Sequence, residues 1–300
     1  MVTRRDVLRT GALLAAAGPA MSQSGETMRT RPIPSSGEAL PIVGLGTWQV
    51  FDVDGSAEEI EARRQIVGAL LNAGGSLIDT SPMYNRSERI IGDVLAAGDL
   101  GKSAFLATKV WTDGRENGLS QMRRSAELMR TDVVDLMQVH NRRDMEAHWP
   151  TISELRQDGF IRYTGITDYR ESANAPLMAL MRQHRPDFVQ INYSLLERGA
   201  ERELLPLAEE MGIAVLINRP FVDGRLFRAT SGLELPDWAQ DFAESWGQFF
   251  LKFILGHPAV TCVIPATSKV RHMVDNAGAG SGPMPDAATR RRMLQFIEDL

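Results

Sequence analysis

The sequence predicts an α/β protein that folds as a (β/α)₈ TIM barrel, with its active site at the carboxyl ends of the strands. After residue 40, short apolar runs rich in β-branched residues alternate with longer stretches of helical periodicity. Such alternation is typical of a parallel sheet covered by helices. There are eight strand–helix units, which favours a closed barrel over an open sheet. The predicted strands are residues 42–47, 76–79, 104–109, 133–140, 160–167, 187–192, 213–218 and 260–265.

The stretches between the predicted strands have the periodicity of amphipathic helices. Residues 58–75 place apolar side chains on one helical face and end in two glycines, which commonly terminate helices. The next helix follows Asn85 and Glu88, whose spacing resembles a capping box. Residues 277–286 contain several glycines but follow no strand, so we interpret them as a linker to a final helix and not as a phosphate-binding motif.

The amino-terminal segment differs in character from the rest of the chain. It contains Arg4-Arg5, then a short Ala/Leu/Gly run and small residues around 20–22, the order seen in secretory signals. The arginine pair resembles a twin-arginine export signal, with Val7 where phenylalanine is usual. We therefore predict a signal peptide and spacer over residues 1–30, a barrel with a carboxyl-terminal helix over residues 31–300, and export to the periplasm by the twin-arginine machinery. An ordinary amino-terminal helix on a cytoplasmic protein is the alternative. The Pro/Ser-rich residues 29–38 are interpreted as part of the spacer.

Composition excludes several classes of protein. The 300 residues carry a net charge of −5, whereas a nucleic-acid-binding surface requires a basic excess. One cysteine, Cys262, cannot form an internal disulfide, and none of the five histidines pairs at the spacing of a helical metal site. No apolar run reaches the roughly 18–20 residues of a membrane span. We therefore expect no nucleic acid, no metal and no stable membrane insertion of the mature chain.

Four chemically active side chains lie at or near the ends of consecutive predicted strands. Asp79, Lys109 and His140 end the second, third and fourth strands, and Tyr84 lies in the loop after the second. In a barrel these ends form one mouth. A lysine buried there requires a partner, and Asp79 is the nearest candidate. We expect the lysine charge to lower the pKa of Tyr84, so that the phenol gives a proton to a carbonyl oxygen that His140 orients.

Seven motifs in this order resemble the aldo/keto reductase superfamily from residue 44 to residue 276. They are GLGTW, LIDTSPMY, LATKVW, VVDLMQVH, GFIRYTGITD, FVQINYSLL and VIPATSK. The resemblance implies a nicotinamide cofactor, usually NADPH, bound at the barrel mouth. It also implies catalytic roles for Asp79, Tyr84, Lys109 and His140, and a substrate pocket that includes Trp48 and His140. Contacts with the cofactor are implied or expected for Thr167, Asp168, Gln190, Asn218, Arg219, Thr267, Ser268, Lys269 and Arg271.

The chain departs from the family pattern at several of these positions. Asn218 stands where the family usually has an aromatic ring that stacks on nicotinamide, and Asp168 stands where asparagine is usual. Lys269 and Arg271 remain at a helix start, which suits a phosphate, so NADP(H) is preferred over NAD(H).

The expected activity is reduction of an aldehyde or ketone to an alcohol, or the reverse oxidation, with NAD(P)(H). A non-catalytic nicotinamide-binding regulatory subunit on the same barrel is the alternative. The sequence leaves the substrate and the oligomeric state open.

Overall fold

The fold is a barrel of eight parallel strands, seen in a computed structural model that describes residues 27–98 and 100–300. The strands are neighbours in chain order, and every pairing between them is parallel. They are β3 (Leu45–Gly46), β4 (Leu77–Asp79), β5 (Phe105–Val110), β6 (Val134–His140), β7 (Ile161–Thr167), β8 (Phe188–Asn192), β9 (Ala214–Asn218) and β10 (Cys262–Val263). All eight predicted strands are present, and the predicted fold class is confirmed.

The glycines of GLGTW allow the first and last strands to close the barrel. The backbone N–H of Gly44 donates to the Val263 carbonyl at 2.9 Å, and that of Gly46 to the Pro265 carbonyl at 3.1 Å. A Cβ on Gly46 would lie 2.7 Å from the Ile264 carbonyl oxygen, which is too close for any other residue. Pairing at this seam consists mainly of isolated bridges, so β3 and β10 are shorter than predicted.

Helices cover the outer face of the barrel, as the alternating pattern predicts. They are α1 (Ala57–Asn72), α2 (Ser87–Gly98), α3 (Arg115–Met129), α4 (Met145–Gln157), α5 (Asn174–His184), α6 (Leu204–Met211), α7 (Arg225–Ala229), α8 (Trp246–Leu255), α9 (Val270–Gly278) and α10 (Ala287–Glu298). Most of the core lies between these helices and the outer faces of the strands. The sheet thereby becomes a rigid support for side chains at its two ends.

A hairpin of β1 (Thr30–Pro32) and β2 (Ala39–Pro41) occupies the amino-terminal end of the barrel. Its Ile33 and Leu40 are fully buried in a cluster that includes Phe105 and Phe188, which begin their strands. The Arg31 guanidinium donates to backbone carbonyls beyond α8, among them that of His257 at 2.9 Å. The interpretation of residues 29–38 as a spacer is therefore wrong, because this segment is folded against the barrel.

The predicted capping box ahead of α2 is also wrong. The Asn85 side chain donates to Asp52 at 2.8 Å instead of capping the helix. Glu88 is buried, and its carboxylate accepts from the Thr108 hydroxyl at 2.6 Å. Tertiary partners thus replace the local bonds that the spacing suggested.

The signal peptide and spacer were predicted over residues 1–30, and residues 1–26 of that range lie outside the residues that the structure describes. Among the residues that it does describe, no helix is both long enough and apolar enough to cross a membrane.

Candidate active site

The four residues expected to be catalytic meet at the carboxyl-terminal end of the barrel. Asp79 and His140 are the last residues of β4 and β6, and Lys109 is the penultimate residue of β5. Tyr84 ends a 3₁₀ turn, Pro82–Tyr84, which follows β4 directly. The site is therefore supported by three adjacent strands and one tight turn. The roles of these residues stay predictions.

Lys109 and Asp79 form a buried ion pair. The Lys109 Nζ lies 2.6 Å from Asp79 Oδ1 and also donates to the Thr80 carbonyl at 2.7 Å. Asp79 Oδ2 accepts from Gln190 Nε2 at 2.9 Å and from Gln138 Nε2 at 3.2 Å. Burial works to lower the pKa of Lys109, but the nearby Asp79 and Tyr84 outweigh it and the pKa is raised. The lysine is therefore a fixed cation inside the barrel mouth.

Tyr84 lies beside this cation. The Lys109 Nζ is 5.1 Å from the centroid of the Tyr84 ring, and the ring of Trp48 is 4.9 Å away on another side. Burial raises the pKa of the Tyr84 phenol, and the Lys109 charge offsets only part of that rise. The expectation that the pKa falls below its ordinary value is therefore wrong. At neutral pH the phenol is protonated, as a proton donor must be.

His140 is a neutral imidazole in this site. Burial, with a smaller contribution from the Lys109 charge, lowers its pKa from 6.5 to about 3. Its Nδ1 lies 2.9 Å from the Ser81 hydroxyl, which itself accepts from the Met83 backbone N–H. The hydroxyl proton is thus free to point at Nδ1, which leaves the ring proton on Nε2. Ser81 was not selected from the sequence, although it lies between Asp79 and Tyr84 in LIDTSPMY.

Trp48 lies on the open side of the site. Its side chain is 44% exposed, the largest exposure of any tryptophan or tyrosine among the described residues. The loop after His140 extends only to Asp144, because α4 begins at Met145. This loop is therefore short, and beside it the rings of His140 and Trp111 lie 5.2 Å apart.

A second group of polar side chains ends β7, β8 and β9, where the cofactor contacts are expected. Gln190 Oε1 accepts from the Thr167 hydroxyl at 3.3 Å and from Asn218 Nδ2 at 3.4 Å. Three buried polar atoms here have no partner among the described residues: Asn192 Oδ1, Asn218 Oδ1 and Arg219 Nε. Buried polar atoms without partners are uncommon and indicate a ligand or water. Asn192 was not selected from the sequence.

Asp168, expected to contact the cofactor, is fully buried and already bonded to arginines. Its carboxylate accepts from the Arg142 Nε and from the backbone and guanidinium of Arg170. Burial works to raise the pKa of Asp168, but the bonds from Arg170 and Arg142 hold it below its ordinary value. These bonds compete with the predicted contact to nicotinamide.

The segment between β10 and α9 contains the remaining expected cofactor residues. The Thr267 hydroxyl accepts from the Lys269 backbone N–H at 3.1 Å, which shapes the turn into the helix. No side chain caps the start of α9, and Ser268, Lys269 and Arg271 are exposed there. Free backbone N–H groups beside basic side chains suit a phosphate group.

Comparison with known proteins places the chain in a family. Residues 42–291 match the Aldo/keto reductase family. The chain therefore belongs to the aldo/keto reductase family of oxidoreductases. It is 27% identical to the methylglyoxal reductase YeaE of Escherichia coli (strain K12) over 264 residues, which cover 83% of this chain and 89% of that protein. It is 26% identical to a glyoxal reductase of Bacillus subtilis (strain 168), over 81% of this chain and 84% of that protein.

Solved structures of aldo/keto reductases have the same fold. One from Klebsiella pneumoniae, in complex with NADP and acetate, has a TM-score of 0.74 and 22% identity, covering 91% of this chain and 95% of that one. AKR11C1 from Bacillus halodurans has a TM-score of 0.73 and 23% identity, covering 90% of this chain and 96% of that one.

Proposed function

We propose that this protein is an NAD(P)H-dependent reductase that converts an aldehyde or ketone to an alcohol, or catalyses the reverse reaction. The observation that carries the proposal is the position of the Lys109 ammonium, bonded to Asp79 and 5.1 Å from the Tyr84 ring centroid. Asp, Tyr, Lys and His at one barrel mouth suit delivery of a proton to a carbonyl oxygen.

In this proposal Tyr84 is the proton donor. As its hydroxyl gives the proton to the carbonyl oxygen, negative charge develops on the phenol oxygen beside Lys109. The buried ammonium stabilises that charge without reorganisation, because Asp79 and the Thr80 carbonyl already hold it in place. His140 is neutral, so its Nε2–H can donate a hydrogen bond that orients the same carbonyl oxygen.

A nicotinamide cofactor supplies the hydride when bound, and the residues present fit it. The unpartnered Asn192 and Asn218 oxygens offer acceptors for an amide group at the ends of β8 and β9. The start of α9, with Lys269 and Arg271, offers a phosphate site. We propose NADP(H) as the preferred cofactor, with NAD(H) possible. The NADP and NADPH complexes of similar structures support this choice.

The test is turnover of a panel of aldehydes and ketones with NADPH and with NADH. Glyoxal and methylglyoxal belong in the panel, because two similar proteins are named for reducing them. Loss of reduced nucleotide that requires the carbonyl compound supports the proposal. Tight nucleotide binding without turnover of any compound would refute it and favour the regulatory alternative.

We also propose that the chain is exported to the periplasm through a twin-arginine signal within residues 1–30, ahead of a barrel domain over residues 31–300. The arginine pair and the apolar run after it support this, and a cytoplasmic protein is the alternative. Fractionation of cells that express the wild type or Arg4-Arg5→Lys-Lys tests it. If both forms appear in the same fraction, the export proposal fails.

An exported reductase would need a cofactor that it loads before crossing the membrane and then keeps. We propose that the nucleotide is retained and is reduced and reoxidised by two substrates in turn. Denaturing protein from the exported fraction and assaying the released nucleotide tests this. Protein that releases no nucleotide would contradict it.

A further inference from the structure

Arg142 and Asp168 form an ion pair at the rim of the barrel mouth, between β6, which ends at the proposed catalytic His140, and its neighbour β7. His140 and Thr167 are paired neighbours on β6 and β7. Asp168 directly follows Thr167, and Arg142 lies two residues after His140, so both lie just beyond the strand ends. The Arg142 Nε donates to Asp168 Oδ2 at 3.0 Å. The pair therefore spans the gap between β6 and β7, just beyond the ends of the two strands.

The Asp168 carboxylate has no acceptor position left for another donor. Oδ1 accepts from the Arg170 backbone N–H at 3.1 Å and from its Nε at 3.0 Å. Oδ2 accepts from the Arg170 Nη2 at 2.8 Å as well as from Arg142. A carboxylate offers about four lone-pair positions, and here four donors use them. Two guanidinium groups share one carboxylate, so these three groups together carry a net positive charge.

The backbone around Arg142 fixes where this arginine lies. Arg142 has φ of 60°, and its neighbours Asn141 and Asp144 have φ of 51° and 48°, in the left-handed region that disfavours residues with a Cβ. The Arg143 backbone N–H donates to the His140 carbonyl at 3.1 Å and closes the turn. Such strain is found where a fold holds a side chain in a set place. The turn thereby holds Arg142 close to the end of β6.

The guanidinium of Arg142 has one edge in use and one edge open. The Arg142 Nε donates to Asp168, and no residue that the structure describes accepts a hydrogen bond from the two Nη groups of Arg142. The terminal edge of a guanidinium binds a carboxylate through two parallel hydrogen bonds. Arg143, the next residue, differs because both its Nε and its Nη2 donate to Asp113, and its guanidinium stacks 4.7 Å from the Trp111 ring centroid.

The groups near Arg142 favour an anion over a cation. His140 is neutral, and the rings that contact it, those of Tyr84 and Trp111, carry no charge. Asp113, the nearest carboxylate of the loop after β5, is paired with Arg143.

We propose that Arg142 binds a carboxylate group of the substrate, so that the preferred substrates are carbonyl compounds that also carry a carboxylate. Asp168 acts as a positioning residue that holds the Arg142 side chain. The inference rests on the proposed function, whose chemistry places the substrate carbonyl beside His140.

The experiment compares oxo acids with their methyl esters, which keep the carbon skeleton and remove the charge. The pairs are glyoxylate, 4-oxobutanoate, 5-oxopentanoate and 4-carboxybenzaldehyde, each with its ester. For the wild type we expect kcat/KM to favour the acid of at least one pair by about 10- to 100-fold, the range of a charge-assisted bidentate contact. In Arg142→Met the preference should fall to about 1 through a rise in the KM of the acid.

Arg143→Met is the matched control, since it removes the same charge from the same loop. It should keep the acid preference, because the Arg143 guanidinium is already paired with Asp113. Asp168→Asn should raise the KM of the acid more than that of its ester, as expected for a residue that positions Arg142. No acid preference in any wild-type pair, or equal loss of preference in both arginine variants, would overturn the inference.

Failure of the proposed function can be distinguished from failure of this inference. Turnover of the esters without any acid preference would leave the reductase proposal standing and remove the carboxylate site. If no compound is turned over, calorimetric titration of the wild type and of Arg142→Met with 4-oxobutanoate tests the carboxylate site directly. Affinity weaker in the variant by about 10-fold or more supports the site, and equal or absent binding overturns it.

Discussion

Replacing Tyr84 by phenylalanine removes one hydroxyl group from the proposed proton-transfer site. Lys109 keeps its bonds to Asp79 Oδ1 and the Thr80 carbonyl, so no charge is left without a partner. The ring keeps its contacts with Trp48 and His140. The free energy of unfolding should therefore fall by no more than about 0.5–1.5 kcal/mol, the net value of one hydrogen bond.

The effect of Tyr84→Phe on catalysis should be much larger. Loss of a positioned general acid lowers the rate by about 10²- to 10⁴-fold, which corresponds to about 2.7–5.5 kcal/mol of transition-state stabilisation. The assay is kcat and KM for a reduced carbonyl compound with NADPH, together with thermal unfolding of both proteins. The loss should be in kcat, because the hydroxyl acts when the proton moves.

Tyr163→Phe provides the matched control. Its hydroxyl lies 2.6 Å from Glu38 Oε2 at the opposite end of the barrel, so its loss should affect stability and leave kcat unchanged. A Tyr84→Phe protein that reduces the compound at the wild-type rate would show that the proton comes from elsewhere.

Three further outcomes follow from the same geometry. A pH–rate profile should show no step near pH 6.5, because the pKa of His140 is lowered to about 3. The rate should fall only above about pH 10, the ordinary pKa of a tyrosine, because the pKa of Tyr84 is raised and the phenol keeps its proton. Lys109→Met should abolish activity and lower the free energy of unfolding by about 3–5 kcal/mol, because Asp79 is left buried without its counter-ion. Denaturant unfolding of the variant and the wild type measures this difference. Ile33→Ala should cost about 2–5 kcal/mol by opening a cavity at the base of the barrel, while kcat of the folded protein stays at the wild-type value.

The barrel was predictable because each strand is a short apolar run with a helix after it, and this pattern can be recognised without any knowledge of contacts. The β1–β2 hairpin was not. Its strands have three residues each, its segment contains several prolines, and its burial rests on Ile33 and Leu40 alone. Such a segment has no periodicity to detect, and its structure comes from packing against the amino ends of the strands and from side-chain bonds such as that of Arg31.

Within the site, the strand-end rule was enough to bring Asp79, Lys109 and His140 together. It could not find Ser81, whose bond to His140 depends on the shape of a turn. It also could not find the pairing of Arg142 with Asp168, which depends on the register of β6 and β7.

The direction of the Tyr84 pKa could not be predicted from neighbouring charges, because burial is a property of the whole fold. The raised pKa does not weaken the case for Tyr84 as an acid. Catalysis depends on how much more the site stabilises the transition state than the ground state. In the ground state the phenol is neutral and interacts weakly with Lys109; as the proton leaves, the charge on its oxygen grows beside a cation fixed by Asp79. A fixed ammonium in a buried site acts on that growing charge more strongly than water could, so burial and the lysine together favour the step in which the proton moves.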